Sequence, residues 1–210
     1  MSPPVPQQVL TVSDSPSTPK RVRLTWPPRA LGLGPPLNLV TLSREQRAGF
    51  GRRALESIAL AIAGALVVAA IDQVFFGGET ARRTPALNLH PTPVARVAIT
   101  FIGGFLEELF FRVFFATAVA SVVWLALRRP VGQPAVPVAQ WAGIIAAAIY
   151  VGVWHTTMGD APSNNARVIA VNAVSNLLYG WTYWRRGLEL SALTHGVLNA
   201  TLYLGLPFLH

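Results

Sequence analysis

Residues 101–120 read FIGGFLEELFFRVFFATAVA and place three ionisable side chains near the middle of a long apolar run. Glu107, Glu108 and Arg112 would each cost about 2.5–3.5 kcal/mol at the centre of a membrane helix if they faced lipid. Glu108 and Arg112 are four residues apart, so they share a helix face and can pair. Glu107 projects about 100° away around the helix and needs a different partner. The run therefore predicts a membrane helix whose charged side chains turn towards other helices.

The composition of the whole chain is typical of a membrane protein. Hydrophobic residues make up 52% of the chain and charged residues 12%, and the mean hydropathy is +0.44. A soluble domain carries about 25% charged residues. The chain has no cysteine, which excludes disulfides, thiolate nucleophiles and cysteine-type zinc sites.

Apolar spans follow one another from residue 55 onwards. They cover about 55–77, 92–127, 138–157, 166–184 and 188–208, and each is near or above the roughly 20 residues that cross a hydrocarbon core. The second span, at ~50 Å of helix, is too long for a simple crossing, so it must tilt, protrude or break near Gly103-Gly104. The predicted fold class is all-α, a polytopic transmembrane helix bundle of about five spans.

Residues 1–50 differ from the rest of the chain in composition. They hold nine of the 17 prolines together with many Ser, Thr and Gln residues, and such a segment buries too little apolar surface to offset its ordering entropy. We expect a disordered, Pro-rich basic tail over 1–50 and one transmembrane domain over 51–210. The first apolar stretch begins too late for a signal peptide.

The positive charge is distributed as in a membrane protein rather than a nucleic-acid-binding protein. The net charge is +8, and eight of the 17 basic residues lie in the first 53 positions. Most of the others lie at the ends of apolar spans, where they orient a membrane protein and contact anionic lipid headgroups. No basic face is interleaved with aromatic residues, so we expect membrane lipids, and no nucleic acid, among the partners.

The same basic residues predict the orientation. The positive-inside rule places the tail, the loop with Arg128-Arg129 and the turn at Arg185-Arg186 in the cytoplasm. The loop over 158–165 has no Arg or Lys and falls outside the cell, whereas Arg82-Arg83 in the first loop departs from the rule. The sequence therefore predicts a multi-pass protein of the cell membrane with a cytoplasmic N-terminal tail.

Later spans carry further polar side chains. His155 ends the third span, and taken alone it fits an interfacial residue as well as a functional one. His195 and Asn199 of the fifth span are four residues apart and point the same way, which predicts an inward-facing pair. For the similar pair Asn172 and Asn176 in the fourth span, we favour hydrogen bonding between helices.

These residues together resemble the equipment for hydrolysing an amide bond. A carboxylate can activate water, and imidazole and amide groups can stabilise an oxyanion in a site of low dielectric. No serine or cysteine nucleophile accompanies them. The sequence thus favours a hydrolase that uses activated water.

The motifs resemble the CAAX-protease and bacteriocin-processing family, also called Abi or the type II CAAX prenyl endopeptidases, which includes lysostaphin resistance protein A-like proteins. The resemblance covers about residues 92–205. The first motif reads E-E-x-x-x-R and the last reads H-x-x-x-N, and both match in full as Glu107-Glu108-Arg112 and His195-Asn199. The middle motif departs from the family, which usually has Phe four residues before its His, where this chain has Val151 before His155.

The resemblance implies an intramembrane endopeptidase that cuts membrane-associated or peptide substrates. It implies that Glu107 activates water with help from His155, that His195 and Asn199 form the oxyanion site, and that Glu108 with Arg112 braces the helix. Members of the family have been described as metal-dependent as well. We expect no cofactor, with Zn²⁺ bound by Glu107, His155 and His195 as the alternative.

Two other functions remain open from the sequence. A non-catalytic membrane scaffold or bacteriocin-immunity protein would keep the motifs for helix packing alone. A small transporter would use Glu107 and His155 as a proton relay, although the chain has no inverted repeat.

Overall fold

A computed structural model of the chain describes residue 31 and residues 49–77, 92–132, 135–157 and 165–202. Within this part every regular element is helical, as the sequence predicts. There are five helices, of which the second has three parts. They are α1 (Phe50–Phe76), α2 (93–127, made of α-helical Pro93–Glu108, π-helical Leu109–Ala116 and α-helical Thr117–Leu127), α3 (Ala135–His155), α4 (Asn165–Arg186) and α5 (Leu188–Ala200).

Helix α2 is continuous where a break was one of the expectations. Thr92 caps its first turn by accepting a hydrogen bond from the Ala95 N–H at 3.2 Å, and Pro93 occupies the first helical position. The helix then passes through Gly103 and Gly104 without interruption. The irregularity lies one turn later, in the π-helical segment that starts directly after Glu108. A break at the glycines is therefore wrong, because a wider helical turn accommodates the charged motif instead.

Three helices in the described part are long and apolar enough to cross a membrane by themselves. They are Phe50–Phe76, Val97–Leu127 and Ala135–His155. Helix α5 has only 13 residues, or about 20 Å, and α4 carries polar side chains along one face. These two helices form a hairpin around Gly187, whose φ of 94° is a conformation that favours glycine.

The bundle is apolar outside and polar inside, as expected in lipid. Leu66, Phe114 and Ile149 are among the large apolar side chains that are more than half exposed on the outer faces of α1, α2 and α3. Glu108 and Arg112 are buried in the interior. In a soluble protein this distribution would leave an aggregation-prone surface, whereas a bilayer solvates the outer face and forces polar groups inward.

A second buried ion pair joins α1 to α4. Asp72 and Arg167 contact each other, and both side chains are less than a tenth exposed. Asp72 is an acid deep in the apolar run of α1, sixteen residues after Glu56, and it is a signal of an inward-facing partner that the sequence analysis did not use.

Small residues allow the helices to approach closely around the site. A Cβ added at Gly143 of α3 would overlap the backbone carbonyl of Ala116 in α2, and one added at Gly196 of α5 would overlap the ring of Phe101 in α2. Helices in membranes associate through such close contacts because lipid leaves little hydrophobic gain between them. These crossings bring α5 against the half of α2 that carries the glutamates.

The start of α1 and the end of α4 lie at the same end of the bundle. Arg186 donates to Ser57 Oγ at 2.9 Å and lies 3.5 Å from Glu56. At this end Gln140 and Trp184 donate to the backbone carbonyl of Leu31 at 3.0 and 3.3 Å.

Leu31 belongs to the predicted tail and is one of the few tail residues that the structure describes. Its side chain is fully buried among Ala120, Ala139 and neighbouring apolar residues. At this position the tail is therefore packed against the bundle. Most of the predicted tail, the loop over 158–164 and the end of the chain after 202 lie outside the described residues, so the tail's order and the 1–50 boundary stay predictions.

Candidate active site

A small polar cavity of about 70 Å³ lies between α1, α2, α3, α4 and α5. Glu107, His155, His195 and Asn199, which the sequence nominated for chemistry, all line it. The structure thus brings side chains from three separate helices to one space, while their catalytic roles stay predictions. The other lining residues are Val68, Val171, Asn172, Ser175, Asn176, Tyr179 and Leu202.

Glu108 sits beneath this cavity as a fully buried acceptor. Arg112 Nε donates to its Oε2 at 3.2 Å, the Ser191 hydroxyl donates to the same oxygen, and His195 Nδ1 lies 3.1 Å from Oε1. Three donors offset the cost of burying this carboxylate, because charge-assisted hydrogen bonds are stronger than neutral ones. Glu108 therefore ties α2 to α5 rather than facing a substrate.

Arg112 extends the same network to α4. Its Nη2 donates to Asn176 Oδ1, and its Cζ lies 6.0 Å from the centroid of the Tyr179 ring. Its Nη1 is buried without a hydrogen-bond partner among the described residues. Asn176 thus makes the interhelical hydrogen bond that we expected of both amides of the pair in α4, whereas Asn172 bonds to Val168 O of its own helix.

The buried network also fixes the orientation of His195. A carboxylate only accepts hydrogen bonds, so the hydrogen in the contact with Glu108 belongs to Nδ1 of His195. Its Nε2 then lies 3.9 Å from Glu107 Oε2, on the cavity side. The Tyr179 ring stacks on the imidazole at 4.3 Å with an angle of 11°. When His195 is an imidazolium, its Nε2–H is a donor aimed away from the buried network.

Asn199 lies one turn after His195 on α5. The Tyr179 hydroxyl is 3.4 Å from Asn199 Oδ1. This contact occupies the amide oxygen and leaves Nδ2, which has no hydrogen-bond partner among the described residues, as a donor. Tyr179 thus contacts both members of the H-x-x-x-N motif.

His155 is held by its own helix. A backbone carbonyl can only accept, so the 2.9 Å contact between Nδ1 and Val151 O places the hydrogen on Nδ1 and leaves Nε2 as an acceptor. Trp154 meets the imidazole edge-on at 5.1 Å and also packs on Phe111 of α2 at 5.4 Å. Val151, where the family usually has Phe, is completely buried.

Glu107 differs from its neighbour in exposure. Its side chain is 32% exposed, against 1% for Glu108. Its carboxylate makes no hydrogen bond to any other described residue. The adjacent glutamates therefore occupy two different environments, one inside a satisfied network and one open to the cavity.

The zinc alternative stays a prediction. No group of three His, Asp or Glu residues in this part of the chain is arranged to bind one ion. Glu107, His155 and His195 nevertheless line one cavity, and the contacts of Nδ1 with Glu108 and with Val151 O leave Nε2 of each imidazole available as a ligand.

Two residues that the sequence analysis did not use are central to the site. Ser191 precedes His195 by four residues, so the i,i+4 spacing on α5 was an available signal. Tyr179 and His195 each lie eight residues from Gly187, which makes them neighbours across the hairpin. The predicted turn at Arg185-Arg186 between the fourth and fifth spans was an available signal of that relation.

Comparison with known proteins identifies a family. The family model described as type II CAAX prenyl endopeptidase Rce1-like matches residues 90–201, which is more than half of the chain. The matched range contains Glu107, His155, His195 and Asn199. A search of curated proteins and a search of solved structures each gave no match.

Proposed function

The chain belongs to the type II CAAX prenyl endopeptidase Rce1-like family, and from this premise we propose that it hydrolyses peptide bonds with water activated by Glu107. Membership implies CAAX-type intramembrane protease activity. The proposed substrates are peptides or membrane-associated proteins whose scissile bond enters the cavity between the helices.

The proposal depends on a contrast between two groups of polar side chains. One group is buried and hydrogen-bonded between helices, and the other faces the cavity. Glu108, Arg112 and Ser191 use their polar atoms to join helices. Glu107 and Asn199 keep atoms that no described residue occupies, and both line the cavity. A carboxylate and an amide that face a cavity inside a membrane bundle are costly unless water or a ligand satisfies them.

The proposed reaction uses these free atoms in order. Glu107 takes a proton from water, with Nε2 of His155 as a second acceptor that orients the water. The water oxygen bonds to the scissile carbonyl carbon, and the oxyanion accepts hydrogen bonds from Nδ2 of Asn199 and Nε2–H of the His195 imidazolium. The C–N bond then breaks, and the proton on Glu107 passes to the leaving amine nitrogen.

We propose that the protein is a multi-pass protein of the cell membrane with its N-terminal tail in the cytoplasm. Membrane lipids surround the apolar faces of α1, α2 and α3. No metal ion has a part in the proposed reaction.

Cleavage of fluorogenic peptides, with and without a prenyl group, by purified protein in liposomes tests the proposal. We expect Glu107→Gln to lose about 10²- to 10⁴-fold in kcat, since it lacks a general base. The matched control is Glu56→Gln, which changes an exposed glutamate at the far end of the bundle and should cleave as the wild type does. The assay contains EDTA. Undiminished cleavage by Glu107→Gln, or cleavage that EDTA abolishes and zinc restores, would contradict the mechanism.

The same variants distinguish a scaffold or bacteriocin-immunity protein. Such a protein needs only the buried network, so its cellular function would survive Glu107→Gln and fail with Arg112→Leu. Solute flux through the liposomes would instead indicate the transporter.

A further inference from the structure

Asn172 on α4 lines the catalytic cavity without joining helices. Its Nδ2 donates to the Val168 carbonyl at 2.8 Å, which is a bond within its own helix. Asn176, one turn later, contacts Arg112 on α2. The two asparagines look equivalent in sequence, but among the described residues Asn176 bridges helices and Asn172 does not.

The bond to Val168 also fixes which atom of Asn172 is free. A carbonyl only accepts, so the atom that contacts it is the amide nitrogen, and Oδ1 has no hydrogen-bond partner among the described residues. That oxygen is not sealed in the protein either, because no atom of Asn172 is both buried and without a hydrogen-bond partner among the described residues. Asn172 therefore presents a hydrogen-bond acceptor to the cavity.

Neither helix stability nor packing accounts for an asparagine at this position. Asparagine is a weaker helix former than alanine, and a side chain that bonds to its own i−4 carbonyl adds little to the helix. Its amide also carries a cost inside a membrane protein unless a partner satisfies it. A ligand that supplies a donor would satisfy the acceptor.

The hairpin geometry places Asn172 relative to the proposed oxyanion site. Tyr179 stacks on His195, and each is eight residues from Gly187, so Asn199 lies across from Ser175. Asn172 is almost one turn further from Gly187, or about 5 Å along the helices. An extended peptide advances about 3.3–3.6 Å per residue. Asn172 thus lies one to two residues along a bound peptide from the carbonyl that His195 and Asn199 would receive.

We propose that Asn172 Oδ1 accepts a hydrogen bond from a backbone N–H of the substrate, one or two residues from the scissile bond. Every peptide except one with proline at that position supplies this donor. The contact therefore positions the substrate backbone along the cavity and does not select among substrate side chains. The inference rests on the proposed function, because it assumes that a peptide occupies the cavity.

The first test compares steady-state cleavage by the wild type, Asn172→Ala and the control Thr182→Val. Thr182 lies on the same helix outside the cavity, and its hydroxyl also bonds to an i−4 carbonyl, at 2.9 Å. We expect Asn172→Ala to raise KM about 2- to 10-fold, the equivalent of one hydrogen bond, with kcat within about twofold. Thr182→Val should leave KM unchanged. An unchanged KM in Asn172→Ala would overturn the inference.

The second test replaces single substrate amides by esters, which removes one N–H at a time. At one position within two residues of the scissile bond, the ester should raise the KM of the wild type about 2- to 10-fold. The same ester should leave the KM of Asn172→Ala unchanged, because both changes remove the same hydrogen bond. A residue with a purely structural role would give additive losses at every position, and that result would refute the proposal.

Failure of the proposed function is recognised separately. If the wild type cleaves no peptide, the hydrolytic mechanism fails. Binding of the same amide and ester peptides to Glu107→Gln and to Glu107→Gln with Asn172→Ala, measured by fluorescence anisotropy, then decides on Asn172. Equal affinities for the two proteins and for all peptides would overturn the inference.

Discussion

The two adjacent glutamates illustrate how position on one helix separates two functions. Glu108 accepts hydrogen bonds from Arg112, Ser191 and His195, whereas Glu107 keeps its carboxylate open to the cavity. The separation of about 100° between consecutive helical residues produces this difference. Because Glu108 also fixes the hydrogen on Nδ1 of His195, the buried network determines which ring nitrogen faces the cavity.

Replacement of Ser191 tests the buried network at the scale of one residue. Ser191→Ala removes a hydroxyl that contacts the buried Glu108 carboxylate of α2 and, at 2.8 Å, the Tyr179 carbonyl of α4, so that charge becomes less satisfied. We expect it to reduce the free energy of unfolding by about 1.5–3 kcal/mol, the range for hydrogen bonds to charged groups. Denaturant titration of the protein in detergent micelles measures the loss.

The matched control for Ser191 is Thr194→Val on the same helix. Thr194 is equally buried, but its hydroxyl donates to Leu190 O within α5 at 2.7 Å. Thr194→Val should therefore reduce the free energy of unfolding by clearly less than Ser191→Ala does. Equal losses would mean that the bridge to Glu108 contributes nothing specific to stability.

His195 of α5 and Glu107 of α2 meet at the site although they lie at different distances from the ends of their helices. His195 is only eight residues from the turn at Gly187, or about 12 Å, whereas Glu107 is twenty residues, or about 30 Å, from the end of α2. Gln140 and Trp184 both donate to the Leu31 carbonyl, so the end of α4 lies level with a point five residues inside α3. Helices α2 and α3 thus extend beyond the α4–α5 turn at the basic end, which accounts for part of the difference.

Gly196 tests how closely α5 must approach α2. In Gly196→Ala the added Cβ would overlap the Phe101 ring, so the helices must separate or the ring must rotate. We expect cleavage to fall at least tenfold, since a displacement of about 1 Å in a catalytic group can cost 10²-fold. In Gly103→Ala the added Cβ meets no atom within 4 Å, and alanine favours the helix by up to about 1 kcal/mol.

Gly196→Ala and Gly103→Ala are compared in the same peptide-cleavage assay. Gly103→Ala should keep wild-type activity. Full activity in Gly196→Ala would show that the site tolerates a wider crossing between the helices.

At the scale of the whole molecule, Arg128 and Arg186 lie at one end of the bundle, whereas Arg167 lies at the other end and pairs with Asp72. Arg186 contacts the start of α1, and Arg128 stacks on Trp124 at 5.1 Å near the end of α2. The positive-inside rule predicts that this end is cytoplasmic. The opposite end carries the C-terminus of α3, at His155.

Cysteine labelling in intact cells tests this orientation, and the chain is suited to it because it has no native cysteine. Val131→Cys and Thr157→Cys place one thiol at each end of α3, at positions that are exposed in the structure. An impermeant maleimide should label Thr157→Cys in intact cells and Val131→Cys only after permeabilisation. The reverse pattern would place the N-terminal tail outside, and labelling of both variants from one side would mean that α3 does not span the membrane.

The sequence by itself determined the helical class, the apolar spans and the identity of the motif residues. Long apolar runs have few structural solutions in lipid, because every backbone polar group must be satisfied internally. An ionisable group in such a run must face inward, so Glu107, His155, His195 and Asn199 could be nominated without coordinates. The i,i+4 spacing of Glu108 and Arg112 is local, and the structure places them 3.2 Å apart.

Only the tertiary structure decided how these groups are partnered. The contacts of Glu108 with Ser191 and of Arg112 with Asn176 join residues 83 and 64 positions apart, and local spacing carries no information about such pairs. The π-helical turn after Glu108 depends on the same packing. The difference between Asn172 and Asn176 arises for this reason too, because the crossing of α2 and α4 brings Arg112 to one asparagine and leaves the other facing the cavity.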